Sequence, residues 1–508
     1  MPHSDKPSSA SSGPPTETEL KFALPLRSPG DLAAMLAHVP VLRRRRAVTV
    51  TLHNVYYDTA EQLLRQNMMA LRLRQVGDTS HPRWVQTLKI GASDASALSQ
   101  RGEWETELAA SELHHAVLMA TPWQAFDPDA RIFASLKPCF TTVFDRTSWV
   151  VRKRDGSALE VCLDIGHVLA DGKAEAICEL EIELLQGSCE NLFDIAEEIS
   201  RSLCLIPLGM SKAERGYRAA QGTLHAPRYA QPPSITPDMP PAQVAKILLR
   251  EMFQQFTANL VGMRTSDAPE LVHQARVAWR RFRSLVKLFK NQPVLTGLPA
   301  REPLAPLLDA LRAMRDTDVA LTETLPLFAN AYVAGDLTRQ QQWREMERML
   351  AQTARDQRLT VRNALDSPAL GLALVRIARW LELPEATTPS DSTTNTNTNT
   401  NTTLWAKRRM ERLNKQLKAI PRDSDDPDVL HAARIVSKQL RYCTEALGPL
   451  LPKRHAKRWR KKATAMQTNI GAMRDFTQAL KILAQMPAAP DLLAFVRGVA
   501  AGQKLRKT

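Results

Sequence analysis

The hydrophobic pattern changes its period once, near residue 241, and that change limits the possible folds more than any other feature. Residues 17–220 hold short segments in which apolar and charged residues alternate. They are "ELKFAL", "VTVTLHNVYYD", "ALRLRQV", "WVQTLKI", "WETEL", "TSWVVR", "ALEVCLDIG" and "ICELEIELLQG". Strict alternation is the mark of β-strands, whose side chains point to opposite faces in turn. Two helical segments interrupt them, at about 29–38 and 190–204. From about 242, apolar residues recur at helical spacing through long runs such as "AQVAKILLREMFQQFTANLVGM" and "PELVHQARVAWRRFRSLVKLFK". A chain of 508 residues has room for two cores of different kinds. The predicted fold class is α+β and multidomain: an antiparallel β barrel with outer helices, then an all-α domain.

The boundaries follow from composition. Residues 1–15 are polar and rich in Ser and Pro and predict a disordered tail. The strand domain covers 16–220. Residues 221–241, "QGTLHAPRYAQPPSITPDMPP", lack periodicity and predict a Pro-rich linker. The helical domain covers 242–508. An Asn-Thr tract at 386–403, with too little apolar content for a core, predicts a disordered loop between halves at about 242–385 and 404–508. Charge divides the same way. Residues 1–240 carry 25 Lys and Arg against 29 Asp and Glu, and residues 241–508 carry 43 against 24. The whole excess of +15 therefore lies in the helical part, which points to a polyanionic partner there. No apolar run reaches the length of a membrane span and no signal-peptide core opens the chain, so a cytoplasmic location is expected. Six cysteines without a C-x-x-C pair predict reduced thiols.

The strand domain carries charge in an unusual place. Glu17, Glu19 and Lys21 share one strand face, as do Arg72 with Arg74, Glu103 with Glu105 and Glu107, Glu160 with Asp164, and Glu179 with Glu181 and Glu183. Lys89 closes "QTLK". A single charged strand face is usually solvated. Several in one domain, of both signs, point instead to charged faces converging inside a barrel whose apolar faces pack on outer helices. Clustered carboxylates repel one another unless cations relieve them, and oxygen-rich sites suit Mg²⁺ or Mn²⁺. Arg and Lys in the same lumen would bind phosphate oxygens. Together these are the components of phosphoryl transfer by charge stabilisation.

In order, "ETELK", "VYYDT", "LRLR", "TLK", "RGEWE", "ELEIEL" and "SKAERGY" resemble the CYTH superfamily, the triphosphate tunnel metalloenzymes, over about 17–218. The resemblance implies a tunnel barrel that hydrolyses or cyclises triphosphates with Mg²⁺ or Mn²⁺. It implies Glu17, Glu19, Glu179 and Glu181 as metal ligands. Asp164, with Glu103 and Glu105, would support a second metal or water, and Glu183 would be a third inward carboxylate or the strand's exit. Lys21, Arg72, Arg74, Lys89 and Lys212 would be the catalytic triphosphate contacts, with Arg146 and Arg152 as further substrate contacts. No general base is identified.

The helical part repeats. His273, Arg276, Arg280 and Arg283 are matched 158 residues later by His431, Arg434, Lys438 and Arg441, and "AMRD" recurs at 313–316 and 472–475. Spacings of 3, 4 and 3 place each quartet on one helix stripe. A further basic run, "KRHAKRWRKK", follows at 453–462. These segments resemble the CHAD domain over roughly 240–505, which implies a two-fold-repeated helical bundle binding inorganic polyphosphate through the eight stripe residues. Asp316 and Asp475 are candidate partners for the stripe arginines. Gln439 departs from the pattern at a position where a further basic residue is common.

The leading expectation is a metal-dependent inorganic triphosphatase with a polyphosphate-binding domain, with association with polyphosphate granules as a further expectation. Its alternatives are an adenylate cyclase or a nucleoside or thiamine triphosphatase on the same fold, and a non-catalytic scaffold for polyphosphate or nucleic acid. Trp279, Tyr442 and Trp459 make no regular stacking platform, which disfavours nucleic acid.

Overall fold

The computed structural model describes residues 15–77, 82–91, 96–383, 401–421 and 426–505. The expected N-terminal tail and most of the Asn-Thr tract lie outside them. The chain forms two compact units, one of residues up to 202 with 207–224 and one of residues 203–206 with 225 onward.

The first unit is built on strands β1 (Thr16–Ala23), β2 (Val48–Asp58), β3 (Met69–Val76), β4 (Arg83–Ile90), β5 (Leu98–Leu108), β6 (Lys137–Arg152), β7 (Ala158–Ala170) and β8 (Lys173–Gln186), with a two-residue strand β9 (Ile206–Pro207). The first eight follow the order β5-β4-β3-β2-β6-β7-β8-β1, and β1 pairs back with β5, so the sheet closes. All described pairings are antiparallel. Closure leaves no free edge and gives each strand one inward and one outward face. Leu20, Phe22, Leu71, Leu180 and Ile182 are fully buried on the outward side. Helix α6 (Cys189–Ser200) packs on β8 and β1 with Leu192, Phe193, Ile195, Ala196 and Ile199 buried.

Helix α1 (Pro29–His38) starts where Ser28 accepts from the Asp31 N–H and Pro29 presets the first turn. Four one-turn helices, α2 (Leu63–Gln66), α3 (His115–Leu118), α4 (Trp123–Phe126) and α5 (Arg131–Ser135), show no helical period in the sequence. Helix α7 (Lys212–Ala220) begins at Ser211, which accepts from the Glu214 N–H in an S-x-x-E arrangement.

The second unit holds α8 (Pro241–Thr265), α9 (Pro269–Leu288), α10 (Ala305–Val319), α11 (Ala329–Val333), α12 (Leu337–Leu365), α13 (Pro368–Glu382), α14 (Thr402–Ala419), α15 (Pro427–Ala446), α16 (Lys453–Leu483) and α17 (Pro490–Leu505). Residues 225–240, read from the sequence as linker, lie against α8. The Arg228 N–H donates to Asn259 Oδ1 at 3.1 Å and the Gln231 N–H to Glu251 Oε1 at 3.0 Å. The repeated segments meet: α9 packs on α15, and α10 packs on both α9 and α16. Among the described residues no helix is long and apolar enough to cross a membrane.

Candidate active site

Strand register brings the charged positions face to face. Around the barrel, Lys89 stands opposite Glu103, Arg101 opposite Glu17, Lys21 opposite Glu181, Glu179 opposite Asp164, Asp164 opposite Arg146, and Asn54 opposite Arg74. Of these, Glu17, Lys21, Arg74, Lys89, Arg101, Glu103, Arg146 and Glu181 line a cavity of about 500 Å³ that also takes in Arg65, Arg72, Glu105, Lys212 and Glu214.

One wall is a chain of ion pairs through β1, β4 and β5. Lys89 Nζ lies 2.8 Å from Glu17 and 2.9 Å from Glu103. Arg101 donates to Glu17 at 2.9 Å and also to Glu19, and Lys21 Nζ lies 2.9 Å from Glu19. Burial alone would raise the Glu17 carboxyl, but Lys89, Arg101 and Lys21 hold it well below the usual carboxylate range.

The adjoining wall, from β7 and β8, holds Asp164, Glu179 and Glu181, each offering a carboxylate oxygen within 4.8 Å of the others. Asp164 and Glu179 are fully buried. Arg146 makes a two-pronged contact with Asp164, at 2.8 and 2.6 Å, and also reaches Glu181. Burial opposes ionisation of Glu181, yet Lys212, Arg146 and Lys21 keep it well below its ordinary value. Glu179 Oε1 is in contact with Lys212 Nζ. Three convergent carboxylates suit a divalent cation.

Arg74 is left short of negative charge. Its Nε donates to the Asn54 side chain at 2.9 Å, and Glu105 stands 3.9 Å away. Burial, together with Arg72 and Arg146, pushes its guanidinium down to about 10. The neighbouring Arg72 Nε–H is buried and makes no hydrogen bond among the described residues. Both fit a phosphate oxygen.

The structure thus gathers Glu17, Glu19, Lys21, Arg72, Arg74, Lys89, Glu103, Glu105, Arg146, Asp164, Glu179, Glu181 and Lys212 around one lumen, with Glu160 and Glu183 at its lining. Arg152 sits exposed at the end of β6, outside that lining. Several residues escape a reading of the sequence. Arg101 lies two positions before Glu103 on the same alternating face, so the period that singles out Glu103 also singles it out. Asn54 is uncharged, and its use appears only when β2 lies between β3 and β6, where it donates to Thr142 at 3.0 Å and accepts from Arg74. Arg65 lies in the one-turn helix α2, too short to show a period.

In the helical unit the stripes of α9 and α15 converge. Lys438 shares its surroundings with Arg280, Arg434, Arg474 and Arg441, and burial with their charge pushes its ammonium down to about 7. Arg276 is lowered to about 10 by burial, Arg280, Arg312 and Arg474, with Asp316 opposing. The AMRD repeats therefore bring both a carboxylate and a further guanidinium to the cluster. His431 is exposed at the start of α15, and Arg283 is exposed toward the end of α9.

The first unit is thus a closed antiparallel barrel with a lumen of paired carboxylates and cations, and the second is a helical unit with a cluster of basic side chains. Residues 15–217 match the CYTH domain and residues 247–484 match the CHAD domain, so the chain carries both domains. It is similar to an inorganic triphosphatase of Haemophilus influenzae, 31% identical over 206 residues, which cover 40% of this chain and 54% of that protein. The chain thus spans about half the length of this curated relative. Among solved structures it is similar to the CHAD domain of Ricinus communis (25% identity, 56% of this chain and 92% of that one, TM-score 0.45). A Hippeastrum adenylyl cyclase candidate described as having a dominant triphosphatase activity is another (20% identity, 40% and 96%, TM-score 0.27).

Proposed function

We propose that the barrel hydrolyses inorganic tripolyphosphate with Mg²⁺ or Mn²⁺, and that the helical unit binds longer polyphosphate. The observation that carries the reading is the undercompensated Arg74 beside the unsatisfied Arg72 Nε, facing a lumen whose β7–β8 wall suits a divalent cation. A polyanion with a cation completes both walls.

In this mechanism Arg72 and Arg74 grip non-bridging phosphate oxygens, and Lys21 and Lys89 neutralise the charge that builds on them. Asp164, Glu179 and Glu181 would hold the divalent cation, which supplies Lewis-acid stabilisation of the phosphoryl oxygens. A water oxygen forms the new bond to the terminal phosphorus while the bond to the bridging oxygen breaks. Diphosphate leaves with the electron pair, and the water proton passes to solvent. The buried lumen strengthens each of these contacts relative to water.

Polyphosphate binding is supported by the Lys438 cluster, in which like charges are held together at a cost that an anion relieves. A second body holding polymer on the same chain would raise the local concentration of phosphate anhydrides. The test is phosphate release by the purified protein from tripolyphosphate, ATP, thiamine triphosphate and long-chain polyphosphate, each with Mg²⁺ and with Mn²⁺. Preference for tripolyphosphate is expected. Preference for ATP or thiamine triphosphate would reassign the substrate, and no phosphate release from any would leave only a binding role.

A further inference from the structure

All six oxygens of the Asp164, Glu179 and Glu181 carboxylates touch a cation. Arg146 takes Asp164 Oδ1 and Oδ2 and Glu181 Oε2. Arg215 takes Glu179 Oε2 at 3.1 Å. Lys212 alone touches all three groups: Asp164 Oδ2 at 2.6 Å, Glu181 Oε1 at 2.9 Å, and Glu179 Oε1. It therefore stands where the three carboxylates converge, the position a divalent ion would need.

The helix that carries Lys212 is fixed by other contacts. Tyr217 donates to Asp58 Oδ2 at 2.6 Å. Arg65 makes a two-pronged contact with Glu214 at 3.0 and 2.8 Å. Gly216 lies so close to the Phe140 ring that a Cβ there would meet it at 2.0 Å. These hold α7 whether or not Lys212 keeps its carboxylates. A lysine also has four rotatable side-chain bonds, so its ammonium can move while its helix stays. Nζ already lies over the Phe144 ring, 5.1 Å from its centroid, a cation–π contact that does not depend on the carboxylates.

We propose that Lys212 is the resident counter-cation of this carboxylate site, and that a divalent cation takes the site only as Lys212 gives it up. The released ammonium stays in the lumen and is then available to a phosphate, so cation and phosphate binding reinforce each other. An ammonium and a divalent ion sharing the same oxygens would repel strongly in a buried site, which makes the exchange competitive. The inference rests on the reading that the trio holds a divalent cation.

The test is calorimetric titration of the full-length protein with Mn²⁺, with no phosphate compound present. Lys212→Met should bind Mn²⁺ about tenfold tighter or more, a competitor having been removed, and Asp164→Asn should bind far more weakly. In the unmodified protein, saturating Mn²⁺ should raise the acylation of Lys212 by an amine-reactive reagent, read by mass spectrometry; this needs no variant to fold. Equal or weaker Mn²⁺ binding by Lys212→Met, or Lys212 acylation unmoved by Mn²⁺, overturns the exchange. If either result comes with metal-dependent tripolyphosphate hydrolysis, the exchange alone falls. If no form binds Mn²⁺ and hydrolysis shows no metal dependence, the cation site falls and the exchange with it.

Discussion

Glu19 is 2% exposed and serves two cations, Lys21 and Arg101. Replacing it with Ala takes a carboxylate from both, although Arg101 keeps Glu17, and breaking a buried pair from one side costs about 3–5 kcal/mol. Glu19→Ala is therefore expected to lose both tripolyphosphate hydrolysis and melting temperature. Lys21→Ala leaves Glu19 its Arg101 partner. It should reduce phosphate release about 100-fold with a much smaller change in melting. Unchanged hydrolysis in both would remove the tunnel assignment. Arg74 gives the opposite pattern. Its guanidinium is destabilised by Arg72 and Arg146, so Arg74→Met should lower phosphate release about 100-fold while leaving the melting temperature level or higher. The charged residues of this lumen were mostly legible in the sequence because alternation assigns each to a face. Their partners were not. Arg101 lies on a readable face, but that it clasps Glu17 and Glu19 depends on β5 closing against β1, about 80 residues away in the chain.

The long strands and α1 follow the sequence pattern closely, because each has enough residues to show a period. The second barrel helix was expected at about 190–204 and ends at Ser200, followed by a turn at 201–202. Helix α2 was invisible because a side chain from outside it holds it together: Asp58 accepts from the backbone N–H groups of Leu64 and Arg65 at 2.9 and 3.1 Å. The same carboxylate ties α7 through Tyr217, so one buried Asp sets the place of the element that carries Lys212. At this scale the sharpest test is Gly216→Ala. The added methyl meets Phe140, and overpacking of this kind costs about 1–3 kcal/mol. A lower melting temperature is expected, with phosphate release reduced as α7 is pushed from the wall. Normal melting and activity would show that the close approach does not position α7.

The two units carry different chemistry, and tests at the scale of the molecule should separate them. Arg276→Glu with Arg434→Glu is expected to weaken polyphosphate binding at least about tenfold and to leave tripolyphosphate turnover unchanged. Equal polyphosphate affinity would remove the binding role of the stripes. The Lys438 ammonium, lowered from 10.5 to about 7 by burial with Arg280, Arg434, Arg474 and Arg441, is charged below that value and largely neutral above it. Polyphosphate binding should therefore tighten as pH falls through about 7, and Lys438→Met should flatten the profile. The sign for stability is opposite. Between about 7 and 10.5 the unfolded chain binds more protons at this residue than the folded one, so its contribution makes the protein more stable as pH rises through that window. Melting curves at several pH values, compared with Lys438→Met, check it. The sequence by itself determined the two periods, the charge division between the units, the faces of the strands and the repeat of the stripes, since all of these are local or additive properties. Only the tertiary structure decided that residues 225–240 pack on α8, that the repeated stripes meet in one cluster, and that Lys212 stands among three carboxylates. Each of these joins residues that are far apart in the chain, and which cation meets which carboxylate is fixed by barrel closure and helix packing, not by the residues on either side.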